Sequence, residues 1–320
     1  MIRVSDCIYL VQFEALFFLN SRNRCIILVR HYSKGKEDER TMNNPATILE
    51  ASINGSVRKT NLTFFKAVIL SFMSGTFIAF GAAAANYAAH DISNAGVAKL
   101  VTGFVFPVGL MLVIVMGAEL FTGNCLILMA VLDKKVSVLK LLKNLSIVYV
   151  GNFFGCILIA HLTDIAGQWN QNRDLIGAYT IKIAYGKVGM SFGQAFASGI
   201  LCNMLVCLAV LCATSSKDVA GKATMIFFII MAFVLSGYEH SVANMYYLFA
   251  GRIASRDNTF MSVAADTYGL VSDKVIEALR LKNLIVKNLI PVTLGNLVGG
   301  MLFTSLPFWF VYRKKEQSEK

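Results

Sequence analysis

Six long apolar stretches alternate with short polar segments along most of the chain. A helix needs about 20 predominantly apolar residues to cross a bilayer, and each stretch reaches that length. The pattern predicts six membrane spans, at residues 63–88, 97–132, 142–163, 193–214, 223–250 and 286–311. The second and fifth spans are too long for one plain helix. Each contains a polar insert, at 117–124 and 237–244, so each is predicted to be two half-helices joined by non-helical backbone.

The two polar inserts are related to each other. GAELFTGN at 117–124 and GYEHSVAN at 237–244 share the frame G-x-E-x-x-x-[small]-N at an offset of 120 residues. A second pair of motifs, GNFFG at 151–155 and GNLVG at 295–299, follows at an offset of 144 residues. Their paired glycines predict close approach of helix backbones in the third and sixth spans. The chain therefore has two related halves with three predicted spans each.

Three spans per half place the halves in opposite orientations, which is an inverted repeat. Non-helical backbone at membrane depth persists only where it is buried in protein or lines a wet cavity. The predicted fold is therefore an all-α integral membrane protein with six spans, an inverted repeat, and broken second and fifth helices that meet at a central site.

Composition agrees with a membrane protein of many spans. The chain of 320 residues is 56% hydrophobic and 15% charged, with a mean hydropathy of +0.60, whereas soluble domains carry about 25% charged residues. The net charge of +11 is spread over loops without a basic stripe interleaved with aromatics, so no nucleic-acid partner is expected. We interpret it as a positive-inside distribution together with an anion-attracting surface. Lysine-rich ends predict that both termini are cytoplasmic, although the basic loop at 251–285 disagrees.

Four segments are predicted along the chain. Residues 1–41 differ in character from the rest and are interpreted as an extension before the true initiator, Met42, or as a disordered tail. A cytoplasmic segment at 42–62 precedes the six-span domain at 63–312, and residues 313–320 form a cytoplasmic tail.

The candidate chemistry is concentrated in the two breaks. His240 lies in the fifth-span break beside Glu239. A lone histidine on an apolar face is usually a core residue, but an imidazole in a membrane break beside a carboxylate favours a functional role. It titrates near pH 6.5 when unperturbed, so it can polarise or protonate a weak-acid anion. Thr122 is predicted to face His240 across the repeat axis.

The repeated acids allow two interpretations. Glu119 and Glu239 are either a proton relay or acceptors for unwound backbone N–H groups and for neighbours in the opposite half. We favour the acceptor role. Asn124 and Asn244 fit the same scaffold.

Catalysis is not expected. The chain has no H-E-x-x-H, G-x-S-x-G or Walker motif and no His/Cys cluster of metal-ligand spacing. We therefore predict no enzyme activity, no cofactor and no metal. A membrane-embedded enzyme or binding protein remains the rival from another class, and it would require chemical groups or a large extramembrane domain that the sequence does not offer.

Four ordered motifs resemble those of the formate/nitrite transporter family. The motifs are VIVMGAELFTG at 113–123, GILCNMLVCLA at 199–209, GYEHSVAN at 237–244 and KNLIPVTLGNLVGG at 287–300. The similarity covers about 60–312. It implies an aquaporin-like fold, a homopentamer with one pore per protomer in the plasma or inner membrane, and proton-linked transport of small monovalent anions of weak acids. Formate is the first expectation, with nitrite and hydrosulfide as alternatives.

The resemblance also implies roles for individual residues. His240 matches the central histidine, Thr122 the threonine of a mobile loop, and Lys187 and Asn203 the residues that flank the central site. Lys66 matches a lysine at the start of the first span. With the two break residues already named, the predicted substrate pore comprises Thr122, His240, Glu239, Asn244, Asn203, Lys187 and Lys66. The apolar constrictions are matched by Phe106, Leu110 and Phe233 on one side and by Leu120 and Phe121 on the other.

One departure from the family pattern is visible. Many formate channels carry a His-His pair where this chain has Gly189-Met190, after Lys187-Val188. The departure bears on substrate preference within the family.

Overall fold

The computed structural model describes residues 42–313, and within that range the chain forms helices and turns without β-strands. The predicted extension at 1–41 and most of the predicted tail lie outside the described residues. We number the principal helices in chain order: α1 Pro45–Thr60, α2 Phe64–Ala89, α3 Ala95–Val115, α4 Gly123–Leu132, α5 Val138–Ile165, α6 Leu175–Val188, α7 Phe192–Ser215, α8 Val219–Leu235, α9 Ser241–Ala254, α10 Asn258–Tyr268, α11 Ser272–Ala278 and α12 Leu281–Tyr312.

Side-chain caps mark where several helices begin. Asn44 accepts the Thr47 N–H at 2.9 Å ahead of Pro45, and Ser191 forms a reciprocal capping box with Gln194 before α7. Asp218 accepts the Gly221 N–H at 2.7 Å at the start of α8. That hydrogen bond, assisted by a nearby serine hydroxyl, lowers the pKa of the Asp218 carboxyl.

The predicted helix breaks are confirmed. The second span stops at Val115 and resumes at Gly123, and the fifth stops at Leu235 and resumes at Ser241. Each break opens with a glycine in the left-handed region, Gly117 at φ +65° and Gly237 at φ +72°. Glycine is required there because an L side chain is strained at such angles.

Span lengths agree with the prediction for most of the chain. Five described helices, α2, α3, α5, α7 and α12, are long and apolar enough to cross a membrane. The fifth predicted span is divided, as expected, into two shorter helices, α8 with 17 residues and α9 with 14.

The loops contain more helix than the sequence pattern suggested. Helices α1, α6 and α10 were not predicted as helices. α6 has 14 residues and contains Lys182 and Lys187, which gave it the polarity of a loop. The basic loop at 251–285 contains α10 and α11, and α12 begins within it at Leu281.

The two halves repeat the same order of elements. Helices α1 to α5 of the first half correspond to α6, α7, α8, α9 and α12 of the second, with α10 and α11 inserted. The dominant packing in the halves is α2 on α5 and α7 on α12. α12 differs from α5 in containing two π-helical segments, Leu284–Leu289 and Gly299–Ser305.

The predicted close approach of the glycine motifs is confirmed. A Cβ atom at Gly75 would collide with the backbone of Asn152, and one at Gly155 would collide with the backbone carbonyl of Phe72. In the second half, Gly295 meets the Phe196 carbonyl and Gly299 meets the Ile200 carbonyl in the same way. These glycines therefore set the distance between the paired helices.

We expect Gly75→Ala to destabilise the fold by about 1–3 kcal/mol, because the added methyl forces α2 and α5 apart. Thermal unfolding in detergent would measure the loss as a lower midpoint. Gly193→Ala is the matched control, since nothing lies within 4 Å of its added Cβ. Equal midpoints for the two variants would contradict the assignment.

Candidate functional site

An asparagine holds the first helix break in place. Asn152 of α5 accepts the Phe121 N–H at 2.9 Å through its Oδ1. Its Nδ2 donates to the carbonyl oxygens of Glu119 at 2.9 Å and Ser71 at 2.7 Å. One fully buried amide therefore satisfies two unwound backbone groups and ties them to α2.

A second asparagine does the same in the other half. Asn296 of α12 accepts the Ser241 N–H at 2.9 Å, and its Nδ2 donates to the carbonyl oxygens of Glu239 at 3.0 Å and Gly199 at 2.8 Å. Both glycine motifs were predicted only to pack helices, and these asparagines were not predicted as site residues. The signal was present, because each asparagine directly follows the first glycine of its motif.

The first acid lies in a closed polar cluster. Glu119 Oε2 accepts Asn124 Nδ2 at 2.6 Å, and the same Nδ2 donates to Asn144 Oδ1 at 2.8 Å. Lys59 Nζ lies 3.3 Å from Glu119 Oε1 and donates to Asn124 Oδ1 at 2.8 Å. The lysine therefore satisfies both the carboxylate and the amide oxygen.

The second acid lies in a corresponding cluster. Glu239 Oε2 accepts Asn244 Nδ2 at 2.6 Å, which also donates to Asn288 Oδ1 at 2.7 Å. Lys187 Nζ lies 2.8 Å from Glu239 Oε1. Unlike its counterpart Asn124, Asn244 has no hydrogen-bond partner for its Oδ1 within the described range.

These clusters correct one expectation about the acids. The side-chain partners of Glu119 and Glu239 come from the same half of the chain, so the predicted partners in the opposite half were wrong. The carboxylates accept from lysine and asparagine, while the orphan backbone groups of the breaks are satisfied by Asn152 and Asn296. Lys59, Asn144 and Asn288 were not predicted as members of the clusters.

The two lysines predicted to flank the pore are placed differently. Lys187 ends α6 in its cluster, with its side chain 16% exposed. Lys66 lies exposed near the start of α2 and lines neither of the cavities described below. In the first half the counterpart of Lys187 is Lys59, near the end of α1.

The two breaks meet through a threonine and a histidine. Thr122 Oγ1 and His240 Nε2 lie 2.9 Å apart, and both residues are buried. His240 also caps α9, because its Nδ1 accepts the Ala243 N–H at 3.0 Å. A neutral ring that accepts at Nδ1 carries its proton on Nε2, so this geometry assigns His240 as the donor to the threonine hydroxyl.

Asn203 links the two halves of the chain next to this contact. Its Nδ2 donates to the Asn296 carbonyl at 2.6 Å and to the Thr122 carbonyl at 3.3 Å. Fully buried, it lines neither cavity. Its observed contacts therefore position Thr122 from behind.

Two cavities lie on either side of the central contact. The Lys187 cavity, of about 330 Å³, is lined by Lys187, Glu239 and His240 among others. The Lys59 cavity, of about 370 Å³, is lined by Lys59, Asn124, and the neighbours of Thr122, Leu120 and Gly123. The contact between Thr122 and His240 therefore separates the two cavities.

The cavities also reveal the direction of the broken helices. α3 lines the Lys187 cavity from Ala95 to Phe106, then the Lys59 cavity from Leu110 onward. α8 runs the other way, because its last turn, at Phe233 and Val234, lines the Lys187 cavity. The two broken helices thus approach their breaks from opposite sides, as an inverted repeat requires.

Apolar side chains narrow the space between the cavities. Phe106 and Phe233 pack edge to face at 5.7 Å between ring centroids and line the Lys187 cavity. Leu110 and Leu120 line the Lys59 cavity. Phe121, also predicted as a constriction residue, packs at 4.8 Å against the ring of Tyr149 and lines neither cavity.

Positive charge dominates both cavity walls. Lys99, Lys182 and Lys187 face the single carboxylate of Glu239 in the Lys187 cavity, three positive charges against one negative. The Lys182 ammonium lies 4.2 Å from the centre of the Tyr268 ring. Arg58 and Lys59 are the charged residues that line the Lys59 cavity. Both cavities therefore attract small anions.

Sequence comparison supports the arrangement of the whole domain. The sequence profile of the formate/nitrite transporter family matches residues 46–310. The chain belongs to the formate/nitrite transporter family.

The matches to individual relatives extend over nearly the whole length of those proteins. A probable formate transporter of Methanothermobacter thermautotrophicus is 36% identical over 290 residues, which are 85% of this chain and 98% of that protein. The formate channel FocA of Escherichia coli K12 is 34% identical over 273 residues, covering 85% and 95%. The solved structure of a pentameric formate channel with formate bound superposes with a TM-score of 0.68 at 32% identity, covering 78% of this chain and 98% of that one. The chain is thus an integral membrane protein of a transporter family.

Because Asn296 serves three buried backbone groups, we expect Asn296→Ala to destabilise the fold by roughly 1–3 kcal/mol for each group left unpaired. Thermal unfolding in detergent and limited proteolysis at 236–244 would measure the effect. Asn283→Ala is the control, because its amide makes an exposed hydrogen bond to the Glu277 carbonyl. A stability unchanged from wild type in Asn296→Ala would show that the break holds without its bridging amide.

Proposed function

We propose that this protein carries small monovalent anions of weak acids, formate first, across a membrane together with a proton. The observation that carries the proposal is the contact between Thr122 and His240, which separates two basic cavities. The similarity to formate channels and to a formate-bound structure supports formate as the substrate.

The basic cavities supply the first step. Lysine side chains concentrate the anion at the mouth. Beyond them lie Phe106 and Phe233. Moving a bare anion from water into these low-dielectric surroundings would cost tens of kcal/mol of solvation free energy. Loss of water raises the proton affinity of the anion, as it does for a buried carboxylate. The neutral acid is the form that crosses the constriction.

The histidine supplies a hydrogen bond at the centre. Its Nε2–H and the Thr122 hydroxyl present polar atoms at the point where the acid has left water. Protonation of the ring would place a second N–H at Nδ1, against the Ala243 N–H that this atom accepts. We therefore propose that the transported proton comes from water in the Lys187 cavity, and that His240 orients the acid.

The assembly follows the family pattern. In our proposal α2, α3 with α4, α5, α7, α8 with α9, and α12 form the six spans, both termini are cytoplasmic, and the protein is a homopentamer in the lipid of the plasma membrane. The pentameric formate channel among its structural relatives supports this assembly. Nitrite and hydrosulfide remain alternative substrates, and competition with formate uptake would rank them.

Uptake of radiolabelled formate into proteoliposomes tests the transport. We expect His240→Asn to lower the flux at least tenfold, because its amide can keep the cap on Ala243 but cannot reach Thr122 as the ring does. His240→Phe removes the cap as well and should also lower the thermal stability. The flux that remains in His240→Asn should still carry one proton per formate, measured with an internal pH dye. If formate uptake in His240→Asn continued without the accompanying proton uptake, His240 would instead be identified as the proton donor.

The double substitution of Lys99 and Lys182 by glutamine should raise the KM for formate without changing kcat. Neither lysine belongs to the paired cluster of Glu239, so the ion pair between Lys187 and Glu239 is kept. The rise should shrink as salt increases, because screening shortens the reach of the charges to about 8 Å near physiological ionic strength. Lys66→Gln is the control. A KM shift in Lys66→Gln equal to that of the double variant would show that a lysine of α2, outside both cavities, also concentrates the anion.

A further inference from the structure

Gly300 of α12 leaves a space that the Asn203 amide of α7 fills. A Cβ atom at Gly300 would collide with Asn203 Nδ2, and it would lie 2.7 Å from the Cβ of Cys125. Both contacts are shorter than van der Waals separation, so no side chain fits at residue 300 unless its neighbours move. In the structure Asn203 Nδ2 reaches two buried carbonyl oxygens, Asn296 at 2.6 Å and Thr122 at 3.3 Å. The missing side chain therefore lets the amide reach the Thr122 backbone.

The orientation of the Asn203 amide is fixed by its partners. Both carbonyl oxygens require a donor, so the atom that faces them is Nδ2 rather than Oδ1. Cys207 of the same helix provides a second donor to the Thr122 carbonyl oxygen, with its Sγ at 3.5 Å. The backbone of the residue that meets His240 is thus held by donors from α7.

Contacts in the two halves show which residues of α2 and α7 correspond. Asn152 Nδ2 donates to the Ser71 carbonyl, and its counterpart Asn296 donates to the Gly199 carbonyl. These facing helices are therefore related by an offset of 128 residues, whereas α5 and α12 are related by the offset of 144 found in their glycine motifs. The two offsets identify the residues of the first half that correspond to the pair on α7 and α12.

In the first half the glycine and the donor are exchanged between the two helices. Gly75 of α2 corresponds to Asn203, and Cys156 of α5 corresponds to Gly300. The Sγ of the fully buried Cys156 lies 3.3 Å from the Val242 carbonyl oxygen. Val242 occupies, in the second break, the position that the threonine occupies in the first. Each half therefore combines one glycine with one donor that reaches the carbonyl of the equivalent break residue.

We propose that Gly300 is a positioning residue for the central contact, because it admits the amide that holds the Thr122 backbone. The same carbonyl is held in both halves although the donor comes from the opposite helix, which favours a role for the contact itself. An amide N–H is a stronger donor than a thiol, so the threonine is held more firmly than Val242.

The inference rests on the proposed function, in which the Thr122 hydroxyl and His240 meet the acid where it has left water. A side chain at residue 300 displaces Asn203 and releases the Thr122 carbonyl. The 2.9 Å contact between Thr122 and His240 then lengthens. The passage therefore becomes less selective for the smallest acid.

The ratio of acetate uptake to formate uptake in proteoliposomes tests the positioning, because this ratio does not depend on how much of the protein is folded. We expect Gly300→Ala to raise the ratio by about 3- to 10-fold, part of the discrimination that a tight site makes over one methyl-sized group. Asn203→Ala should raise it by a similar factor, since it removes the same donor. Unchanged ratios in both variants would overturn the proposal.

Gly177→Ala is the matched control. Gly177 lies on α6, its added Cβ would lie 2.6 Å from the ring of Phe260, and neither residue lines either cavity. The variant should lower the thermal midpoint, as Gly300→Ala does, but leave the uptake ratio unchanged. An equal rise of the ratio in Gly177→Ala would show that any loosened helix packing widens the passage, and Gly300 would have no positioning role.

Thermal unfolding in detergent tests the pair without transport. Gly300→Ala and Asn203→Ala should each lower the midpoint, and the double variant should fall no further than the lower of the two, because the methyl at residue 300 has already displaced the amide. Additive losses would show that the two residues act independently. If Gly300→Ala fails to fold, recovery of folding in the double variant supports the pairing, and continued failure overturns it.

The two measurements separate this inference from the proposed function. If wild type transports no formate but the losses of stability are not additive, the transport proposal fails and the pairing stands. If formate is transported and Gly300→Ala leaves the uptake ratio unchanged, the positioning role alone fails.

Discussion

Backbone that leaves the helix inside an apolar protein must find hydrogen bonds from within the protein, and this constraint organises the structure. Asn152 and Asn296 meet it, each with one accepted and two donated bonds. Because these amides also bond to the facing helix, they couple the unwound segments to the tight glycine packing behind them. The central contact between Thr122 and His240 is positioned by that framework.

The two buried acids also have their polar atoms satisfied by a few partners within the protein. Each carboxylate is paired with a lysine from the first helix of its own half, near the end of α1 or α6, and with an asparagine five residues further along the chain. A buried ion pair is costly unless its remaining polar atoms are satisfied. The clusters therefore neutralise the carboxylates locally, which leaves the other lysines of the Lys187 cavity to act on an incoming anion.

Much of this arrangement could be predicted from the sequence, and there are physical reasons why some residues could not. Repetition located Glu119, Glu239 and their asparagines, and the polarity of the inserts located the breaks. Lys59 was missed because α1 is amphipathic and lies outside the apolar spans, so Lys66, at the start of a span, was the more visible lysine. Asn152 and Asn296 were missed because a single amide in a long apolar stretch does not alter its hydropathy. The unpaired Oδ1 of Asn244 depends on side-chain orientation, which no sequence pattern encodes.

The two halves share a scaffold but not a chemistry at their meeting point. At the offset of 120 residues, His240 corresponds to Leu120, and Thr122 corresponds to Val242. Each polar residue of the central contact thus has an aliphatic residue at the equivalent position of the other half. The hydroxyl and the imidazole therefore meet only once between the two halves, so a backbone that is nearly symmetric holds a polar contact that is not.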